Sequence, residues 1–170
     1  MGISVGERLV EATLLLVRPE GQEAVTTTAF TAGRRVVIFA VSGAFTPTCD
    51  AAHLPSFLRN LGALRAQGID AVACLAVNDV HVMRAWGRAS GAFDAGITML
   101  VDPEGAFTAA IGMQFSVPAV GMIGRSRRYA MMIEDGVVRI WNPEPDRGCA
   151  VSGGEAMLAA LGGAAGGAAG

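Results

Sequence analysis

The chain of 170 residues contains no lysine: all thirteen of its basic residues are arginine. Schiff-base chemistry on a lysine and lysine-dependent phosphate loops are therefore excluded. Charge is scarce too, at 16% of residues, and fifteen acidic against thirteen basic side chains leave a net charge of −2. No basic footprint for nucleic acid exists, so nucleic acid is not expected as a partner. The apolar runs, among them Val36 to Val41 with Ala44 and Phe45 beyond it, fall far short of the ~20 residues that a membrane-spanning helix needs. The first residues lack the basic and apolar regions of a secretory signal, and Gly6 stands where a myristoylation motif wants Ser or Thr. A cytoplasmic protein without membrane contact is expected. No G-x-G-x-x-G follows a strand, so neither a nicotinamide nor a flavin cofactor is expected. The two histidines, His53 and His81, with no Cys/His pairs at ligand spacing, give no metal site.

Cysteine is sparse: there are three, Cys49, Cys74 and Cys149, and no C-x-x-C pair. A chain of this length buries roughly 70% of its unfolded surface and needs no disulfide staple. An odd count suits a reducing compartment, where each thiol is either an inert core residue or kept for its reactivity.

Strand-like and helix-like segments alternate. Arg35 to Ser42 is a β-branched run, followed by a helical pattern over Pro47 to Gln67 with Leu54, Phe57, Leu58, Leu61 and Leu64 on one face. Asp70 to Val77 is a second buried strand, and Asp79 caps a helix carrying Val80, Met83 and Trp86. Ile97 to Val101 is a third strand, with a short helix from Glu104 to Ile111. Arg128 to Glu134 and Val137 to Trp141 then flank Asp135-Gly136, a two-residue hairpin signal. Parallel units followed by an antiparallel hairpin predict an α/β domain, a mixed β-sheet flanked by helices. A last helix over Gly154 to Leu161 closes this single domain, residues 1–161, and the Gly/Ala stretch 162–170 reads as a flexible tail. Trp86 and Trp141 read as core or interface anchors, and His81 as a solvated helix residue.

The chemistry concentrates in Ser42-Gly-Ala-Phe-Thr-Pro-Thr-Cys49, which joins a buried strand to a helix. Thr46 suits the N-cap and Pro47 the first helical position. Cys49 then falls in the first turn, where free N–H groups and the helix dipole favour an anion. The dipole is worth roughly 0.3 to 1 kcal/mol, against about 1.4 kcal/mol for one pKa unit. A reactive Cys49 therefore needs a guanidinium from elsewhere in the fold. Arg125, Arg127 and Arg128 are the candidates. Arg128 is favoured because it opens a strand, whereas the other two read as solvated loop residues.

The segment Gly43-Ala-Phe-Thr-Pro-Thr-Cys49 with His53-Leu-Pro55 resembles the active-site loop of the peroxiredoxins, and specifically their type II, or type five, branch. Ala73-Cys-Leu-Ala-Val-Asn-Asp79, Ala85-Trp-Gly-Arg88, Asp102-Pro-Glu-Gly-Ala-Phe107 and Arg128-Tyr-Ala-Met131 resemble the same branch in the same order. The resemblance implies a thioredoxin-like fold and a cofactor-free peroxidase acting on hydrogen peroxide and alkyl hydroperoxides. Cys49 matches the peroxidatic cysteine, which becomes a sulfenic acid; Thr46 and Arg128 match the threonine and arginine around it. Arg88 matches a second arginine of the branch, expected to support Arg128. His53 takes a structural role in this comparison. The re-reducing partner is implied to be an external thiol, glutathione with glutaredoxin or thioredoxin, and the assembly a homodimer. Cys149 and Cys74 stand near positions where some members carry a resolving cysteine, although counting back from the last helix puts Val151 at the first of these.

One position departs from the pattern: Ser42 replaces the family's proline. The alternative reading rests on it. In that reading the protein is a redox sensor or adaptor of the same fold, oxidised at Cys49 but with weak turnover. A thiol–disulfide reductase is disfavoured, because no second cysteine lies in the Cys49 turn.

Overall fold

A computed structural model describes residues 2–168. Nine strands and six α-helices follow in the order β1 (Thr13–Arg18), β2 (Gly21–Thr26), α1 (Thr27–Thr31), β3 (Arg35–Ala40), α2 (Leu54–Ala66), β4 (Ala71–Ala76), α3 (Val80–Ala89), α4 (Ala92–Ala95), β5 (Thr98–Val101), α5 (Ala106–Ala110), β6 (Gln114–Val117), β7 (Met122–Ser126), β8 (Tyr129–Glu134), β9 (Val137–Pro143) and α6 (Gly154–Ala168) among the described residues. Seven strands form one sheet in the order β2-β1-β5-β4-β3-β8-β9, and β6 and β7 make a separate hairpin. β3, β4 and β5 run parallel, while β1 and β8 flank them antiparallel. This is the mixed sheet expected.

The period-two alternation of a strand divides the core into two layers. Val37, Phe39 and Val41 face one side, where they meet Phe57, Leu61 and Leu64 of α2, Met83 and Trp86 of α3 and Met157 of α6. Val36, Ile38 and Ala40 face the other, packed with Phe30 of α1, Phe107 of α5 and Tyr129 of β8. β3 is buried on both faces and therefore reads as a continuous apolar run. Cys49 and Cys74 both belong to the α2 side.

Three local outcomes modify the sequence reading. First, the helix expected from Pro47 is not α-helical throughout: Cys49–His53 form a π-helical turn, closed by the Leu54 N–H on the Cys49 carbonyl. Pro55 has no N–H to offer the Ala51 carbonyl, so a regular α-pattern cannot run through the turn. Second, at the hairpin both Asp135 (φ 46°) and Gly136 (φ 79°) take left-handed conformations, as a primed turn demands. Third, α6 continues beyond Leu161 to Ala168. The expected tail from Gly162 is helical that far although four of its seven residues to Ala168 are glycine, a poor helix former; Ala169 and Gly170 lie outside the described residues.

Candidate active site

The turn between β3 and α2 is fixed before any catalytic group is considered. The Ala44 N–H donates to Asn78 Oδ1 at 2.9 Å, tying the turn to the end of β4. Phe45 passes through the left-handed region at φ 63°, a conformation costing a branched or bulky L-residue on the order of 1–2 kcal/mol. The Asp50 N–H then reaches the Thr46 carbonyl at 2.9 Å, which makes Thr46 the N-cap and Pro47 the first helical residue. Asp50 also accepts from Trp86 Nε1 at 2.7 Å, locking this first turn to α3.

Thr46 does not cap the helix with its side chain. Its hydroxyl donates to the Gly43 carbonyl at 2.7 Å. With the proton committed there, the oxygen faces other groups as an acceptor.

Cys49 is fully buried. Its sulfur accepts a hydrogen bond from the Ser42 N–H at 3.3 Å. Ser42, itself 4% exposed, accepts at its hydroxyl oxygen from an Arg128 Nη at 3.2 Å. Arg128 Nε donates to the Gly148 carbonyl at 2.6 Å. Arg128 thus comes to the cysteine through Ser42, from the residue immediately before β8 and not from within the strand.

Arg125, expected to be solvated, lies instead over the turn. It makes a long 3.5 Å contact to the Ser42 carbonyl, and a Cβ on Gly43 would stand 2.5 Å from its guanidinium. β7 aims it there, and β6–β7 was not anticipated in the sequence. Arg127 is exposed as expected. Arg88 corrects a second expectation: it is exposed at the end of α3 and donates to the Pro19 carbonyl. With Arg84, which reaches the carbonyls of Arg18 and Gly21, it holds α3 to the β1–β2 turn. The second guanidinium beside the Ser42 turn is therefore that of Arg125 and not that of Arg88.

His53 lies one turn beyond Cys49, between Phe39 (5.2 Å) and Phe57 (5.8 Å). It donates from Nε2 to the Ser152 carbonyl at 2.8 Å, while Nδ1 has no partner. Burial, assisted by the Arg128 charge, lowers its pKa to about 4, so the ring is neutral near pH 7. Its role is to dock the loop over residues 144–152 on the helix that carries Cys49.

That loop hangs on one carboxylate. Glu144 is 7% exposed and accepts from the N–H groups of Ala150, Val151 and Ser152 and from the Ser152 hydroxyl, at 2.8 to 3.1 Å. No sequence pattern pointed to Glu144. The loop holds the half-buried Cys149. Burial pushes the Cys149 thiol up, and the Glu144 charge adds to this. Cys74 is fully buried on β4, where burial and then the nearby Cys49 raise its thiol well above the ordinary value.

A cleft of about 710 Å³ opens over the site. Ser42, Thr46, Pro47 and Arg128 line it together with the apolar Phe115, Val117, Val120 and Met122 and the charged Arg127, Glu144, Asp146 and Arg147. Cys49 does not line the cleft; it is joined to it through Ser42, whose N–H meets the sulfur.

The Redoxin family matches residues 4–158. The chain is 46% identical over 163 residues to peroxiredoxin-2E-2, chloroplastic, of Oryza sativa subsp. japonica, covering 94% of this chain and 72% of that protein. It is 42% identical to peroxiredoxin-2E, chloroplastic, of Arabidopsis thaliana, over 94% of this chain and 69% of the relative. This chain belongs to the peroxiredoxin family. Among solved structures, reduced Prx3 of Vibrio vulnificus in complex with H2O2 superposes with a TM-score of 0.88 at 42% identity, covering 94% of this chain and 96% of that one. As a peroxiredoxin the protein is a thiol peroxidase with a thioredoxin-like fold, and its activity needs a peroxide and a thiol reductant. No helix among the described residues is long and apolar enough to cross a membrane.

Proposed function

We propose that Cys49 is the peroxidatic cysteine and that the protein reduces both hydrogen peroxide and alkyl hydroperoxides. The observation that carries this reading is the Ser42 N–H on the Cys49 sulfur, backed by Arg128, where Ser42 and Arg128 line a cleft that also has apolar lining residues. The thiolate attacks the hydroxyl oxygen of R–O–O–H. An S–O bond forms, the O–O bond breaks, and the leaving alkoxide takes a proton from water to give the alcohol. Arg128 lies where it stabilises negative charge developing on the oxygens. Thr46, its proton committed to Gly43, accepts from the peroxide hydroxyl and so orients the oxygen under attack. The apolar lining residues Phe115, Val117, Val120 and Met122 support binding of an alkyl chain.

We infer that an external thiol, glutathione with glutaredoxin or thioredoxin, closes the cycle. It condenses with the sulfenic acid, releasing water, and a second thiol frees Cys49 as the mixed disulfide is reduced. The raised thiols of Cys74 and Cys149 support an external donor over either of them as resolver. The three free cysteines support a reducing compartment, the cytoplasm, and the family resemblance supports a homodimer working without a cofactor. The sensor reading is less favoured, because Ser42 supplies hydrogen bonds at the sulfur and the arginine and does not disrupt the site.

The deciding experiment adds one equivalent of peroxide to reduced protein, follows oxidation by stopped-flow fluorescence, and measures intact mass, with Cys49→Ser as control. Fast oxidation that vanishes in the control and leaves the mass one oxygen higher is expected. A mass two hydrogens lower would replace the external thiol with Cys149 or Cys74. Slow oxidation, unchanged in the control, would overturn the assignment of Cys49. Light scattering at two protein concentrations tests the dimer.

A further inference from the structure

We propose that Ser42 is a functional substitution: its backbone N–H is a hydrogen-bond donor to the Cys49 thiolate that a proline at this position cannot provide. The inference rests on Cys49 as the nucleophile. Proline has no N–H. In this chain that N–H exists and meets the sulfur at 3.3 Å, inside a pocket where residue 42 is 4% exposed. A donor aimed at a buried anion stabilises the charged form. The Ser42 hydroxyl acts separately, accepting from Arg128 at 3.2 Å, so it positions the arginine and does not touch the sulfur. One residue thus carries two functions on two atoms, and substitution can separate them.

The consequence for the reaction is a trade. A thiolate held by one more donor persists to lower pH, but it is a weaker nucleophile, since reactivity falls as basicity falls with a Brønsted coefficient of about 0.4–0.5. The enzyme gains activity in mildly acidic conditions and gives up part of its maximal rate in alkaline ones.

Ser42→Ala keeps the N–H and loses the hydroxyl; Ser42→Pro loses both. The titratable and charged groups near Cys49 are Asp50 and His53 on its own helix, Arg125 and Arg128 beyond Ser42, Cys74 on β4 and Cys149 in the loop. Both variants retain all of them, so the difference between the variants isolates the N–H. The measurement is the pH profile of Cys49 alkylation by iodoacetamide, resolved by site with mass spectrometry, alongside the peroxide rate at each pH. Ser42→Pro is expected to shift the alkylation profile upward by about one pH unit relative to Ser42→Ala. Its peroxide rate is expected to be about three- to fourfold lower on the acid limb and up to about threefold higher on the alkaline plateau. A purely structural effect would lower the rate across the whole range. Superimposable profiles for the two variants would overturn the proposal.

The unmodified protein offers a second test that does not depend on how the proline variant folds. With 15N-labelled serine, the Ser42 amide resonance is expected to titrate with Cys49 and to stop doing so in Cys49→Ser. An amide that ignores the state of Cys49 would overturn the proposal. Loss of peroxide oxidation in Cys49→Ser is read independently, so failure here leaves the peroxidase assignment standing.

Discussion

Two segments of this molecule each hold a cysteine beside Arg128, and they use backbone N–H groups in opposite ways. At the β3–α2 junction a buried N–H is directed at sulfur, from Ser42 to Cys49. In the loop over residues 144–152 the N–H groups of Ala150, Val151 and Ser152 all go to the Glu144 carboxylate. Cys149 therefore sits beside an anion whose donors are already taken, and burial together with that charge keeps it a thiol. In the proposed reading, residue type does not decide which cysteine reacts; the destination of the nearby dipoles does. The two segments are also joined, since Arg128 donates to Ser42 on one side and to the Gly148 carbonyl on the other.

The largest expected effect comes from breaking that joint. Arg128→Met removes the charge proposed to face the reacting oxygens, and loss of one such donor costs about 10²–10³-fold in rate. Stopped-flow oxidation at neutral pH measures it. Because Arg128 also holds Gly148, the same variant should speed alkylation of Cys149. A variant with freed Cys149 but an unchanged peroxide rate would reduce Arg128 to a loop anchor and dissolve the contrast.

His53 sharpens the comparison through stability. Its pKa is about 4 in the folded protein, lowered chiefly by burial from the ordinary 6.5. Between those values the unfolded chain binds a proton that the folded chain refuses, so stability rises with pH. The contribution is complete above about pH 6.5 and is lost as pH falls toward 4, amounting to about 3 kcal/mol. Urea unfolding of the wild type should therefore show a steeper decline from pH 7 to pH 4.5 than His53→Leu, whatever the offset between them at pH 7. Equal slopes would mean that the buried ring is not held neutral. The group that docks the Cys149 loop on the Cys49 helix would then be misassigned.

The sequence reading reached the junction far better than the loop. Cys49, Thr46 and Pro47 sit at the positions that the strand-to-helix pattern assigns, although the Thr46 hydroxyl goes to the Gly43 carbonyl and leaves the cap unmade. The three parallel strands and the Asp135-Gly136 turn were legible because their signals are local: periodicity and turn type. Arg125 was named as a candidate but ranked as solvated because β7 belongs to a short separate hairpin, and nothing local says which residue it overhangs. Arg88 was misplaced because a shared motif gives position along a helix but not the neighbour its exposed end meets. Glu144 escaped notice entirely, since a carboxylate collecting three backbone N–H groups six to eight residues away leaves no periodic trace. The two bonds of Ser42 were equally hidden, although the departure from proline marked the position.

The smallest expected effect tests the loop alone. Burial pushes the Glu144 carboxyl up, but the Ser152 hydroxyl and the N–H groups of Ala150, Val151 and Ser152 outweigh it and hold the group below its ordinary 4.5. Their contribution is therefore full above about pH 4.5 and lost only as pH falls through the lower folded value. Near neutral pH the loop is secured by an anion with several acceptor sites, whereas a glutamine offers one carbonyl oxygen and presents donors in place of the other. Glu144→Gln leaves at least one part-buried N–H without its partner, a local cost of about 1 kcal/mol or more. Exchange of the Ala150, Val151 and Ser152 amides should accelerate about fivefold or more in proportion, and Cys149 alkylation should rise with it. Cys49 oxidation should change much less than in Arg128→Met, because the Ser42 N–H on its sulfur does not pass through Glu144. Unchanged exchange at those three amides would show that the loop is held by other contacts. A parallel collapse of Cys49 oxidation would show that the two cysteine segments are one mechanical unit.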